Sequence, residues 1–270
     1  MLIGPQEAIQ TLCYFVLSNS MPRLQPMDHF SLDDFWAHSW ACATAARMLC
    51  NPANGIHVLP GDLYLAGLLH GVGKLVLAQA LPREFDRCLF EANRTGTPLL
   101  AVERQLLGYT ETELAERLLE TWELPQSVRT VIGSYPCPGA APKDVREKAA
   151  VLQFAQVVAN MSGIGSMGTT GETELDEVWL VCNGAPSLAR ADLREVVVTE
   201  IMAAFQARAM AVVGTGLSPA VAQDCAESRT GVRAQRSKPV PGSSRGFGGR
   251  VRKFLLAVLR NSRYFLTSRS

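Results

Sequence analysis

The sequence contains no acidic residue after Glu227, although its 270 residues include 25 aspartates and glutamates. The stretch from Ser228 to Ser270 holds 11 lysines and arginines, whereas residues 1–227 hold 15. The net charge of +1 therefore conceals an acidic body of about −10 and a basic tail of about +11. Because the body opposes the approach of nucleic acid, a free-standing nucleic-acid-binding protein is not expected.

Charged residues are scarce at 19%, while hydrophobic residues make up 47% of the chain, which excludes a wholly disordered protein and predicts a sizeable core. No apolar run reaches the roughly 18–20 residues that span a bilayer. No positively charged segment precedes an apolar one at the start, so a signal peptide is not expected. These absences favour a cytoplasmic protein.

The cysteines lack the spacing of a disulfide framework or a structural zinc site, since their number is odd and no pair is separated by two residues. Most of them are expected to be small buried hydrophobic residues in a reducing cytosol. The seven are Cys13, Cys42, Cys50, Cys88, Cys137, Cys182 and Cys225.

The apolar spacing is helical, and no alternating strand pattern is long enough to predict a sheet. Ser31 followed by Asp33 and Asp34 is typical of a helix start, and Asp62 is a candidate cap of a later helix. The predicted helices span residues 35–49, 63–69, 83–94, 98–107, 110–122, 126–133, 143–160, 175–181 and 188–213.

Four histidines are the candidate ligands or bases. His38 lies within a predicted helix, and His70 ends an apolar helix just before two glycines. His29 and His57 lie in loop-like segments and are interpreted as surface residues. Residues 66–75 read AGLLHGVGKL, the most distinctive stretch in the chain.

This stretch resembles the signature of HD-superfamily phosphohydrolases, and more closely that of their degenerate branch, the HDOD (HD-related output) domain. The resemblance covers roughly residues 3–165, and it is specific because several short motifs occur in the right order. The other matching blocks are His38-Ser39 with Ala43, Ala45 and Ala46; Glu103–Gly108; Leu114–Leu119 with Trp122, Leu124 and Pro125; and Ala149–Ala159.

The resemblance implies an all-α helical bundle. It also indicates which residues of this chain stand at the metal-binding positions of a hydrolytic HD site. Hydrolytic HD sites use histidines and aspartates to hold one or two divalent metals that activate water and bind phosphate oxygens. His38 and His70 are present, but the aspartate after the second histidine falls on Gly71. The remaining positions fall on Glu111, Tyr135, Pro136 and Gln156. Two imidazoles remain without the aspartates, so neither a metal nor another cofactor is expected.

Each of these residues also has a structural interpretation. His38 and His70 are either residual ligands or hydrogen-bonded core residues. Gly71 and Gly73 either bind a phosphate at a helix start or form the sharp turn after a helix, with Lys74 in solvent. Aromatic residues at two helix ends either line a ligand pocket or pack in the core, and these are Trp122 and Tyr135.

The fold prediction is an HDOD-like bundle over residues 1–165, a helical extension over 172–226, a linker over 227–249 and a basic amphipathic helix over 250–267. The resemblance implies a non-catalytic signalling or regulatory module of a bacterial type that acts through protein partners. The family usually carries more helices upstream, so either the start is misassigned or this is a shortened variant. A shortened variant would have an exposed face and favour homo-oligomers. The enzyme alternative is a metal-dependent phosphohydrolase or phosphodiesterase with a rearranged site at His38, His70 and Glu111.

The basic tail supplies a third hypothesis, an adaptor recruited to a membrane. If the tail is a helix, its apolar residues share one face and its cations lie mostly outside that face. Such helices bind anionic membrane surfaces, here the inner face of the membrane. Docking on a protein partner or on the acidic body, and a terminal helix of a larger assembly, stay open. The apolar residues are Val251, Phe254, Leu255, Val258 and Leu259, and the candidate contacts are Arg250, Arg252, Lys253, Arg260 and Arg263.

Overall fold

The computed structural model describes residues 24–214, apart from gaps at 52–55, 57, 59, 170–174, 176–179 and 181–185. These described residues contain helices and no strand, so the all-α prediction is confirmed. The α-helices are α1 (Leu32–Leu49), α2 (Pro60–Leu69), α3 (Val72–Ala80), α4 (Pro82–Thr95), α5 (Leu99–Leu107), α6 (Glu111–Thr121), α7 (Gln126–Ser134), α8 (Arg146–Ser162) and α9 (Ala191–Gly214).

Helix α1 is the centre of the bundle and begins where the sequence predicts. The Ser31 side chain accepts a hydrogen bond from the Asp34 amide, and two acids lie in the first turn. Its inner faces carry alanines, which allow α2 to approach closely. A Cβ atom added to Gly67 of α2 would lie 2.6 Å from the Cα of Ala43. The two backbones therefore pack without side chains between them.

Two predictions about the chain around α2 and α3 need correction, one of them only in part. Asp62 does not cap a helix, because α2 already begins at Pro60 and Asp62 lies in its first turn. Of the two glycines predicted to form the sharp turn after the helix, only Gly71 does so, in the turn between α2 and α3, and the prediction is wrong for Gly73. Gly71 is the N-cap of α3, and Gly73 lies inside that helix.

Residues Pro60–Ala80 are apolar enough by composition to cross a membrane, but 83% of the window is buried in the protein, so this is weak support for a membrane-spanning helix.

The Trp-x-Leu-Pro stretch is a helix stop. The Leu124 amide donates to the Leu119 carbonyl at 3.1 Å, across the end of α6. Glu123 between them takes the left-handed conformation, with φ 56°. This is the Schellman arrangement, and Pro125 then ends the run and begins α7. At the other end of α6, Thr110 and Glu113 form a reciprocal capping box.

Helix α9 packs on the same core as the helices before it. Val197 and Ile201 are buried in a cluster with side chains of α1 and α8. The Phe205 ring lies 5.6 Å from the Trp40 ring of α1, and the Arg208 guanidinium lies over Trp40 at 5.4 Å. The domain boundaries at residues 165 and 172 stay predictions. The predicted linker at 227–249 and helix at 250–267 lie outside the described residues.

Candidate functional site

Three elements bring the two histidines and one tyrosine together inside the bundle. His38 comes from the middle of α1, and His70 from the turn between α2 and α3. Their ring centroids are 5.8 Å apart. Tyr135 follows α7, and its ring meets His70 edge-on at 5.5 Å. All three residues are buried, with 0% of His38 and 1% of His70 exposed.

The imidazoles are neutral at neutral pH. Burial is the main cause that lowers the pKa of His70 to about 4, and the charge of Lys74 also lowers it. Burial likewise lowers the pKa of His38 well below its usual value, with help from His70 and Lys74. His70 Nδ1 lies 2.7 Å from the Gly67 carbonyl oxygen, which makes Nδ1–H the donor. Among the described residues, His70 Nε2 and both His38 nitrogens have no hydrogen-bond partner.

Lys74 is buried, which corrects the prediction that it lies in solvent. Only 4% of it is exposed, because α3 continues through Gly73 and turns the side chain inward. Its Nζ donates to the Met167 carbonyl at 3.3 Å and lies 3.9 Å from Glu111 Oε1. The candidate site therefore contains an internal cation.

Two carboxyl groups share this buried region with the cation. Glu111 is the first residue of α6, and its amide donates to Glu103 Oε2 at 2.7 Å. Burial raises the pKa of Glu103 to about 8, the nearby Glu111 adds to the rise, and Lys74 opposes it. Burial also raises the pKa of Glu111, again against the effect of Lys74. Sequence reasoning placed Glu103 in a family block but did not assign it to the site.

The raised carboxyl pKa predicts that stability falls as pH rises above neutral. The folded chain holds the Glu103 proton more tightly than the unfolded chain, so the free energy of unfolding decreases from pH 4.5 to about 8. His70 acts oppositely, between pH 6.5 and about 4. From pH 6.5 to 8 we expect a loss of up to about 1.4 kcal/mol per pH unit, measured by urea unfolding. Glu103→Gln should reduce this slope, and Glu111, whose pKa is also raised by burial, would account for the part that is left.

The matched control is Glu113→Gln. Its partner Arg104 lowers the pKa of Glu113 below the usual value, so this carboxyl does not titrate between pH 6.5 and 8. The control should keep the slope of the unchanged protein. A flat profile for the unchanged protein across this range would contradict the prediction.

The other family positions offer little to a metal. Pro136 contributes its carbonyl oxygen, which accepts from Gln153 Nε2 at 3.2 Å. Gln156 lies half-buried one turn further along α8. At Gly71, an added Cβ would lie 2.9 Å from Phe35 Cε2 and 3.0 Å from the Met167 thioether. The space that an aspartate would need is therefore filled by apolar side chains.

The donor set does not fit the divalent metals of a hydrolytic HD centre. Such ions need three or four ligands, including carboxylates. In the part of the chain that the structure describes, no group of three or more histidine, cysteine, aspartate or glutamate side chains could hold a metal ion. Gly71 provides no ligand, and the Lys74 ammonium already lies beside Glu111 and would repel a second cation.

Comparison with known families gives the identity of the fold. The sequence matches the HDOD domain over residues 1–135. The chain belongs to the HDOD family. The structure of an HDOD protein of unknown function from Geobacter sulfurreducens is similar, with 22% identity and a TM-score of 0.57 over 76% of this chain and 68% of that one.

A second similar structure is that of a protein from Marinobacter aquaeolei VT8 that is described as a putative signal transduction protein. It shares 23% identity with the HDOD chain and has a TM-score of 0.56, over 75% of this chain and 45% of that one. At these identities the likeness shows the fold alone. Among curated proteins, no significant match was found.

The remaining sequence predictions for the HDOD chain divide by location. Burial raises the pKa of Cys50 and Cys88 to about 12, and it raises that of Cys42 still further, as expected of inert core thiols. Cys137 is exposed. His29 is half-buried and lies 3.2 Å from Asp86, rather than free at the surface. The predictions that lie outside the described residues concern Cys13, His57, Cys182, Cys225, Arg250, Arg252, Lys253, Arg260 and Arg263.

Proposed function

We propose that this HDOD chain is a non-catalytic signalling or regulatory module that acts through protein–protein contacts. The observation that carries the proposal is the packing at Gly71. The residue that would hold a metal has no side chain, and Phe35 and Met167 fill the space. The chain has the fold, but it lacks the metal-binding side chain that a hydrolytic HD site has at this position. A fold by itself does not determine an activity.

The access to the histidines supports the same proposal. A hydrolase with a rearranged site would need a phosphate ester to reach His38, His70 and Glu111 together. Each of these residues is at most 4% exposed. Ligand sites are concave and open to their ligand, whereas this cluster is enclosed by the core. The buried polar groups are therefore interpreted as part of the packed interior.

The proposal predicts that purified, untagged protein folds without metal. Elemental mass spectrometry should find well below about 0.1 divalent ion per chain, since the ligands of a stable site are missing. Added Mn²⁺, Zn²⁺ or a chelator should leave the unfolding temperature unchanged. His70→Ala tests the alternative, because it should change stability but not metal content.

A contrary result would be about one or two divalent ions per chain that disappear in His70→Ala. That outcome would support a phosphohydrolase with a rearranged site, and a phosphoester substrate screen would follow. Membrane recruitment by the basic tail depends on residues outside the described part of the chain, and it stays a prediction from the sequence.

A further inference from the structure

The segment that follows α8 crosses the candidate site as a strap, defined here as Gly163–Gly168. Gly163, Gly165 and Gly168 all have left-handed φ angles, so the backbone reverses repeatedly over six residues. The strap is tied to three helices at widely separated points of the chain. These ties are the Ser166 amide to the Asp34 carbonyl at 3.0 Å, Lys74 Nζ to the Met167 carbonyl at 3.3 Å, and Asn93 Nδ2 to the Gly168 carbonyl at 2.9 Å.

The strap lies directly on the backbone of α1 beside the first histidine. A Cβ at Gly165 would lie 2.2 Å from the Asp34 carbonyl oxygen and 2.5 Å from the His38 amide nitrogen. No side chain fits between the two backbones. This contact holds the strap against α1.

Met167 makes the deepest contact of the strap. It is buried, with 3% exposed, and its Sδ and Cε atoms lie 3.0 Å from the position a Gly71 Cβ would take. The missing side chain at residue 71 and the inserted side chain at residue 167 are therefore complementary. Lys74, one turn along α3 from Gly71, holds the Met167 carbonyl from the other side.

We propose that the degenerate HD centre is the docking seat of the chain's own strap. Met167 fills the space beside Gly71, the Lys74 ammonium binds the strap carbonyl, and the docked strap closes the polar cluster from solvent. Release of the strap would uncover Lys74 and the neutral histidines. This inference rests on the proposed function in one respect, that no metal competes for the same side chains.

Hydrogen–deuterium exchange of the full chain, read by mass spectrometry on peptides covering the strap, tests the seat. Met167→Ala removes the filling side chain, and we expect strap amides to exchange about tenfold faster. Gly71→Ala places a methyl group against the Met167 thioether, so it should have a similar effect from outside the strap. Met167→Leu conserves volume and should keep exchange near that of the unchanged protein.

Two matched controls should leave strap exchange unchanged. Met161→Ala alters a methionine near the end of α8 that is 54% exposed. Gly61→Ala alters a glycine whose added Cβ would meet nothing within 4 Å. In the combined Gly71→Ala/Met167→Ala variant the new methyl no longer meets the Met167 side chain, and only its contact with Phe35 is left. The combined effect should therefore be smaller than the product of the two single effects.

Unchanged strap exchange in both single variants would overturn the seat. So would equal acceleration in the peptides of α7, a helix without a tie to the strap among those given above, because it would mean global opening instead of strap release. Adding Zn²⁺ to the exchange experiment separates the docking seat from the proposed function. If Zn²⁺ slows strap exchange and none of the variants changes strap exchange, both the docking seat and the proposed function fail. If neither the variants nor Zn²⁺ changes strap exchange, only the docking seat fails.

Discussion

Replacing Lys74 with methionine should lower the free energy of unfolding by about 3–5 kcal/mol, because it leaves buried carboxyl groups without their cation. The ammonium lies 3.9 Å from Glu111, which also receives no cation from elsewhere among the described ion pairs. Protonation of Glu103 or Glu111 can relieve part of the cost. The loss measured by urea unfolding should therefore grow as pH rises.

The double variant Lys74→Met/Glu111→Gln should recover part of the lost stability, since it removes the unpaired charge together with its partner. Arg94→Met is the surface control. Arg94 pairs with Glu91 but is 58% exposed, and its loss should cost less than about 1 kcal/mol. A Lys74→Met variant as stable as the control would contradict the assignment of an internal cation.

Gly73→Ala should be at least as damaging, with a loss of about 3–5 kcal/mol or failure to fold. The added Cβ would lie 1.8 Å from the Glu111 carbonyl oxygen and 3.1 Å from the Ala115 amide nitrogen. Backbone atoms cannot rotate aside as a side chain can, so α3 and α6 would have to separate. Circular dichroism and urea unfolding of the purified variant measure the effect.

Gly133→Ala is the matched control for this substitution. Gly133 also lies inside a helix, α7, but nothing lies within 4 Å of its added Cβ. Alanine has the higher helix propensity, so this change should raise the free energy of unfolding by up to about 1 kcal/mol. If both variants lost the same stability, the close packing of α3 on α6 would not be the cause.

The sequence predicts those parts of the fold that depend on neighbouring residues. The start of α1 is encoded by Ser31 and the two acids after it, and the start of α6 by Thr110 with Glu113 three residues on. The family motif locates His38 and His70 because their positions are defined by short blocks. These features need no knowledge of what lies across the bundle.

The rest of the site depends on contacts between distant parts of the chain. Helix α3 was not predicted because two glycines were interpreted as a turn, whereas Gly73 lies inside the helix, where the absence of a side chain allows the contact with α6. The same error placed Lys74 in solvent. Met167 lies 93 residues from Lys74, in a Gly/Ser/Thr-rich stretch that predicts a loop but not its position. No local pattern identifies such a partner.

The fit between Gly71 and Met167 also limits which substitutions residue 71 can accept. An aspartate introduced at residue 71 would have its Cβ 2.9 Å from Phe35 Cε2 and 3.0 Å from the Met167 thioether. A compensating change in the strap would have to come first, and by itself it would leave a cavity that lowers stability. Residue 71 and the strap would therefore have to change together before this position could carry a metal-binding side chain.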